Sequence, residues 1–335
     1  MEKNIIYKIV QASGVKKGEL ILIHFWGEDK DKHIANDFCQ VVVELGASPI
    51  LLQQSRTINR DIFSSAQETC FNEKYFDLFH SFDAVLDIFT YQPIILGYEI
   101  EENQHKLYRK YMKELFSKLI EIERFAQIRI PTRENAKETD LEVEDYMNRI
   151  ISAYDIDYLE LKHSCEIMKN QLEKSNSLVL HTGDGCKLHL KLNDREWYID
   201  AGDGDIPCGE VYIAPIENET QGKIFFEELF IEDIGKFSNV IFEIKNGQII
   251  DSNNKEVNVF LDSLMENEKI VCEFGIGMNP NIHSLCGYTV LDEKMKGTFH
   301  IAIGANTMFG GKSNAPNHID LVGVGKIEYA KQSYQ

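Results

Sequence analysis

Three short apolar runs, separated by stretches of helical spacing, restrict the fold of this chain more than any other feature. Glu19–Phe25 (ELILIHF) follows the turn residues Lys17-Gly18 and has the length and composition of a buried strand. Over Lys32–Leu45 the apolar positions Ile34, Phe38, Val41, Val42 and Leu45 share one helical face, and Gly46 is placed to end that helix. Pro49–Leu52 and Ala84–Phe89 are the second and third runs, with a helical pattern over about Arg60–Phe79 between them. Strands that alternate with helices pair in parallel, so the N-terminal part predicts an α/β domain with a mostly parallel sheet.

A parallel sheet invites a nucleotide-binding reading, and the residues argue against it. The loop after the first run is Trp26-Gly27-Glu28-Asp29-Lys30. It offers no glycine pattern to present backbone amides to a phosphate, and its two carboxylates repel one.

Farther on, Gln104–Ile128 reads as one amphipathic helix, with Leu107, Tyr111, Leu115, Leu119 and Ile122 on a side and Pro131 beyond its end. Asp140–Leu172 is again helical in pattern. After Asn170 the character changes to short strands. Lys187–Leu192 (KLHLKL) alternates polar and apolar residues and puts His189 on its polar face as a solvated side chain. The expected organisation is an N-terminal α/β domain with a helical connection over residues 1–170. A C-terminal mixed α+β domain then covers residues 171–335.

The chain carries a net charge of -19 over 335 residues, which disfavours nucleic acid and anionic lipid as partners. Its seven cysteines are odd in number and show no C-x-x-C spacing, so neither a disulfide framework nor a zinc ribbon is expected. No apolar stretch is long enough for a membrane span, and the first residues lack the pattern of a signal peptide. A reducing, cytoplasmic setting is the expectation.

Chemistry concentrates in the C-terminal half. Glu273 lies inside the run Ile270-Val271-Cys272-Glu273-Phe274-Gly275-Ile276-Gly277. A carboxylate buried there without a partner costs several kcal/mol, so it must be paired, protonated or metal-bound. On a strand it shares a face with Val271 and Gly275, and the glycine leaves space beside it. His300 sits in a similar run, Gly297–Gly304, where alternation gives it Ala302 and Gly304 as small neighbours. His318 and Asp320 are two residues apart, so on an extended segment both reach the same ion. Imidazole with carboxylate suits Zn, Mn, Co or Fe(II) better than Ca or Mg.

These segments resemble those of the thermophilic (M29-type) metalloaminopeptidases. The stretch Ile206-Pro207-Cys208-Gly209-Glu210-Val211-Tyr212-Ile213-Ala214-Pro215 is similar to a family segment whose glutamate is a metal ligand. Glu273 in EFGIGMNP resembles a second glutamate ligand that bridges two metals. His300 after Asp292-Glu293, and the pair His318 and Asp320, resemble the remaining ligands. Val15–Glu19 and Leu45–Pro49 extend the likeness to the N-terminal half. The resemblance implies two divalent ions (Zn, Co or Mn) held by Glu210, Glu273, His300, His318 and Asp320. It implies a homodimer that removes N-terminal residues from short peptides or small amides through a metal-activated water. Glu293 matches the position of the proton-transfer carboxylate. The chain departs from the family after the histidine, where Ala305-Asn306-Thr307 replaces a segment with a tyrosine that stabilises the tetrahedral intermediate. Asn306 is the candidate hydrogen-bond donor in its place.

Two further readings stand beside this one. Some relatives of the fold are mononuclear Fe(II) ring-cleaving dioxygenases, which need a second histidine near His318 and Asp320; His300 or His283 would supply it. A catalytically degenerate metal- or peptide-binding protein is the other. Cys208 reads as a buried, inert thiol.

Overall fold

A computed structural model describes residues 1–93, 100–183 and 185–329. They form two compact units. The first is Met1–Tyr158 with Gly202–Pro207, and the second is Leu159–Ala201 with the described residues from Cys208 onward.

In the first unit the apolar runs become the strands β1 (Leu20–Trp26), β2 (Ser48–Gln54) and β3 (Ala84–Phe89), joined by β4 (Phe125–Arg129) and the short β8 (Asp205–Ile206). The sheet order is β2-β1-β3-β4-β8 with every pairing parallel. β3 is buried along its whole length, as is β1 after its first residue, which explains why they read as continuous apolar runs rather than as alternation. Helix α1 (Lys3–Ala12) packs on α2 (Lys32–Glu44), and α2 packs on β1 and β2. After β2 come α3 (Arg56–Ser65), whose first turn is capped by the Ser55 hydroxyl, and α4 (Glu73–Asp77). Both pack on α5 (Glu102–Ile120). The helical spacing of α5 brings Tyr108, Tyr111, Leu115 and Leu119 onto Leu22 of β1, Val85 of β3 and Phe63, Phe76 and Phe79. Each such side chain contributes about 1.5–3 kcal/mol through its burial.

The expected helix over Gln104–Ile128 is in fact two elements. α5 ends at Ile120, and Phe125–Arg129 is β4, with Ala126 and Ile128 buried in alternation. Pairing with β3 satisfies the β4 backbone, a non-local gain that overrides the continued helical spacing of Ile122. Pro131 therefore follows a strand. The pattern over Asp140–Leu172 also divides, into α7 (Val143–Tyr154) and α8 (Tyr158–Leu172), which follow the short α6 (Arg133–Ala136). The expected boundary near Asn170 falls inside α8, while the contacts divide at Tyr158/Leu159.

Two antiparallel sheets build the second unit. One has the order β12-β11-β10-β6-β5-β16, from β5 (Ser177–His181), β6 (Lys187–Lys191), β10 (Gln221–Ile231), β11 (Gly235–Lys245), β12 (Gln248–Ser252) and β16 (Lys326–Tyr329). His189 stands on the exposed face of β6. The other sheet has the order β15-β14-β13-β9-β7, from β7 (Trp197–Asp200), β9 (Glu210–Ile213), β13 (Val271–Gly277), β14 (Thr298–Gly304) and β15 (His318–Val324). Helices α9 (Lys255–Ser263) and α10 (Thr289–Asp292) complete the unit. The sheets meet at an aromatic contact, Phe226 of β10 against Phe299 of β14 with ring centres 5.8 Å apart. Phe299, Ile301 and Ile303 therefore face the core, and alternation turns His300 and Ala302 to the other side. All seven cysteines are free thiols, and Cys208 is buried. Among the described residues no helix is long and apolar enough to cross a membrane.

Candidate metal centre

The register of the second sheet places the singled-out residues in adjacent rows on its outer face. One row runs Asp200, Glu210, Gly277; the next runs Tyr198, Tyr212, Gly275, His300; a third runs Glu273, Ala302, Asp320. His318 lies opposite Gly304 at the end of β14. Bulky polar side chains thus alternate with glycine and alanine across the strands, and the small residues are where the side chains of their neighbours lie. Gly275 shows this directly. A Cβ built on it would stand 2.0 Å from His300 Nε2. Gly275→Ala should displace the imidazole and weaken metal binding by about 10–100-fold or more. A lowered melting temperature, from overpacking of about 1–3 kcal/mol, should accompany it. Metal titration beside a thermal melt checks both.

Strand alternation alone put Val271 on the face of Glu273, and the structure corrects this. A β-bulge falls between Val271 and Glu273, so Val271 pairs with Ile303 of the core face while Glu273 pairs with Ala302 of the outer face. The bulge re-aims one side chain without disturbing the apolar pairing beside it.

Five residues expected to act together converge here. His300 Nε2 is 3.2 Å from Glu273 Oε1 and 3.4 Å from Glu210 Oε2. His318 Nε2 is 3.3 Å from Glu273 Oε2 and 3.5 Å from Asp320 Oδ1. The two oxygens of Glu273 thus face different histidines. Two clusters share this carboxylate: Glu210, Glu273 and His300, and Glu273, His318 and Asp320, each with its ligand atoms within 4.8 Å of one another. His318 Nδ1 donates to the Ala305 carbonyl at 2.8 Å, which fixes the tautomer and leaves Nε2 to face the carboxylates. His283 is exposed and belongs to neither cluster.

Electrostatics report a place prepared for positive charge. Burial works against a charged His300, yet the Glu273 hydrogen bond and the Glu210 charge outweigh it and raise the imidazole to about 9. His318 is raised as well, burial being outweighed by Asp320, Cys272 and Glu273. Against its own burial, Glu273 is drawn down to about 2 by the two histidines. Without a metal ion the imidazoles carry protons that a divalent cation would displace, so uptake of one releases protons. The donor set of imidazole nitrogens and carboxylate oxygens fits Zn, Mn, Co or Fe(II).

Glu293 and Lys294 follow α10, whose Asp292 anchors the neighbouring loop by accepting from the Cys286 and Gly287 amides at 2.8 and 2.7 Å. Lys294 is 3 % exposed, and its ammonium lies 2.5 Å from Glu210 Oε1 and 3.0 Å from Glu293 Oε1. It therefore holds the Glu210 oxygen that faces away from His300. Burial pushes the Glu293 carboxyl up to about 8 against the Lys294 charge, with Asp320 and Glu210 adding to the rise.

Asn306 does not take the donor role expected of it. It is fully buried, and its amide donates to Glu217 Oε1 and the Cys272 carbonyl at 3.1 and 3.0 Å. Its oxygen accepts from the Ser313 amide at 2.8 Å. The side chain clamps the loop before β15 and has no free group to offer a substrate.

A model of the thermophilic metalloprotease (M29) family matches residues 8–320. The chain belongs to this family. Metal-dependent hydrolysis of peptides is the general activity that membership brings. Among solved structures, AmpT from Thermus thermophilus is similar, at 15% identity and a TM-score of 0.66, over 98% of each chain. The 2,5-dihydroxypyridine dioxygenase from Pseudomonas putida KT2440 is similar at 14% identity and a TM-score of 0.64, over 98% of this chain and 93% of that one. At such identities both likenesses show the fold. No curated protein matches the chain by sequence.

The sequence reading passed over two residues of this M29 metalloprotease. Lys294 drew no reading of its own, and nothing local announces its burial. Tyr212, quoted only within the segment Ile206–Pro215, is the second. It shares the outer face with Glu210 and lies beside Gly275, its ring stacked on Tyr198 at 5.6 Å and meeting the edge of Phe309 at 5.6 Å. Its hydroxyl makes no hydrogen bond among the described residues. Burial raises its pKa, and the charges of Glu210 and Glu273 raise it further, so the phenol keeps its proton. The available signal was alternation: Tyr212 is two residues from Glu210 on one strand.

Proposed function

We propose that this member of the M29 family is an aminopeptidase-like hydrolase of short peptides and small amides, with Glu210, Glu273, His300, His318 and Asp320 holding two divalent ions. The observation that carries this reading is the Glu273 carboxylate, which turns one oxygen to each histidine. Ions bound there would polarise the scissile carbonyl and acidify a water molecule. The chain's own residues supply the rest. Glu293, raised by burial, accepts the proton of the attacking water and returns it to the leaving amine. Lys294 steadies Glu210 and moderates the negative charge that would otherwise keep Glu293 protonated. Tyr212 donates its phenolic hydrogen to the carbonyl oxygen as charge develops there. The acidic face draws the ammonium of a free amino terminus and repels a free carboxylate.

The dioxygenase reading would need two histidines and one carboxylate on a single ion. Each cluster here has one histidine and two carboxylates, which favours the hydrolase. The homodimer expected from the resemblance belongs to the same proposal, and light scattering tests it.

Amino-acyl p-nitroanilides and their N-acetylated counterparts, offered to protein loaded with Zn, Mn or Co, test the reading. Cleavage of the free-amine substrates alone is expected. Absence of any amide cleavage, with oxygen uptake on a dihydroxylated ring under Fe(II), would replace the hydrolase by the dioxygenase. Tyr212→Phe should keep its metal and lose turnover by up to ~10²-fold with little change in KM, as expected for one donor to a developing oxyanion. An unchanged kcat removes Tyr212 from the mechanism and leaves the metal assignment intact.

A further inference from the structure

The two clusters that share Glu273 have the same kinds of ligand atoms but different surroundings. In the cluster of Glu210, Glu273 and His300 a cation is already in place. The Lys294 ammonium lies 2.5 Å from Glu210 Oε1, while Glu210 Oε2 faces His300 Nε2 at 3.4 Å. One oxygen of Glu210 is therefore taken, and only the other is free to ligate. Lys294 is 3 % exposed, so solvent and salt screen its charge poorly. A dication held by Glu210 and His300 would be repelled by that ammonium across a single carboxylate. In the cluster of Glu273, His318 and Asp320, the carboxylate of Asp320 pairs with His318 instead, 3.5 Å away.

The imidazoles differ as well, and independently of Lys294. His318 Nδ1 donates to the Ala305 carbonyl at 2.8 Å. Such a bond holds the ring in the ligating tautomer and makes the other nitrogen more basic, and its loss typically weakens metal binding by about 10–100-fold. His300 Nδ1 is buried and has no hydrogen-bond partner among the described residues. To ligate through Nε2, His300 must carry its proton on Nδ1, as a buried N–H without an acceptor, which is unfavourable.

We infer that these two features make the metal centre unequal, with Lys294 as the residue that sets the gap. This inference rests on the two-ion reading above. The position formed by Glu273, His318 and Asp320 fills first and holds its ion. The position formed by Glu210, Glu273 and His300 fills second and empties first. Between the two affinities the chain carries one ion and is idle. The supply of free divalent cation then switches hydrolysis on and off through the Lys294 side of the centre.

Titration of the metal-free full chain with Mn(II) tests this, the unbound ion being read by electron paramagnetic resonance. Mn(II) is the probe because the seven free thiols compete for softer ions. The wild type should bind in two steps at least ~10-fold apart. Asp320→Ala should lose the tighter step and Glu210→Ala the looser one. Lys294→Met should tighten the looser step by about tenfold or more and leave the tighter one in place. Lys294→Arg, which keeps the charge, should keep the wild-type gap. If Lys294→Met does not fold, Lys294→Gln takes its place, since it keeps a hydrogen bond to Glu210 without the charge. Two equal steps in the wild type, the reverse assignment of the steps, or an unchanged gap in the neutral variant would overturn the inference and leave two ions standing. Saturation of the wild type at one ion per chain would overturn the two-ion reading with it.

Discussion

Glu273→Ala should disable both halves of the metal centre in one step. Its two oxygens face His300 at 3.2 Å and His318 at 3.3 Å, so truncation removes the proposed shared ligand from each cluster. No neighbour can replace it. Glu210 is held by Lys294 on its other oxygen, and Asp320 reaches only His318 among the two histidines. Loss of a residue that merely orients a ligand weakens metal binding by about 10–100-fold, so loss of a shared ligand should exceed ~10² for each ion. Amide hydrolysis should fall below detection. Metal analysis after gel filtration checks the result, with Glu293→Ala as the comparison. A carboxylate that moves protons without holding metal should leave the content near the wild-type value. Equal metal loss in the two variants would contradict the roles given to both residues.

Glu293→Gln should behave in the opposite way, keeping its metal and losing turnover by ~10²–10⁴-fold. Glutamine fills the same volume and can still face Lys294, but it cannot take a proton. Because burial raises the Glu293 carboxyl toward 8, wild-type kcat/KM should show an acid limb, rising with pH as this group ionises. Bound cations draw the group down, so the limb should lie below 8. The residual activity of Glu293→Gln should lack that limb. A variant that retains both the limb and more than a tenth of the turnover would move the proton transfer to another group.

Much of this cluster was legible in the sequence because charge in an apolar run is costly. Glu273, His300 and the pair His318 and Asp320 stand out in segments where a plain core would place aliphatic residues. Alternation then predicts which of their neighbours share a face. The parallel sheet was equally visible, since β1 and β3 are buried on both sides and read as unbroken apolar runs. What stayed hidden depends on register and tertiary contact. The bulge beside Glu273 follows from how β13 pairs with β14, which no local pattern encodes. The burial of Lys294 depends on the short helix α10 and its anchored loop. Asn306 had the chemistry of a donor, but its amide is taken up by Glu217 and the Cys272 carbonyl, far away in sequence. Strand β4 continued the helical spacing of α5 by coincidence and was separable only through its partner β3.

Anomalous diffraction from crystals soaked with zinc tests the central claim most directly. Two peaks are predicted on the outer face of the second sheet, one against Glu210 and His300, the other against His318 and Asp320, with the Glu273 carboxylate between them. A single peak on His318 and Asp320, or none on this face, would contradict a two-ion centre.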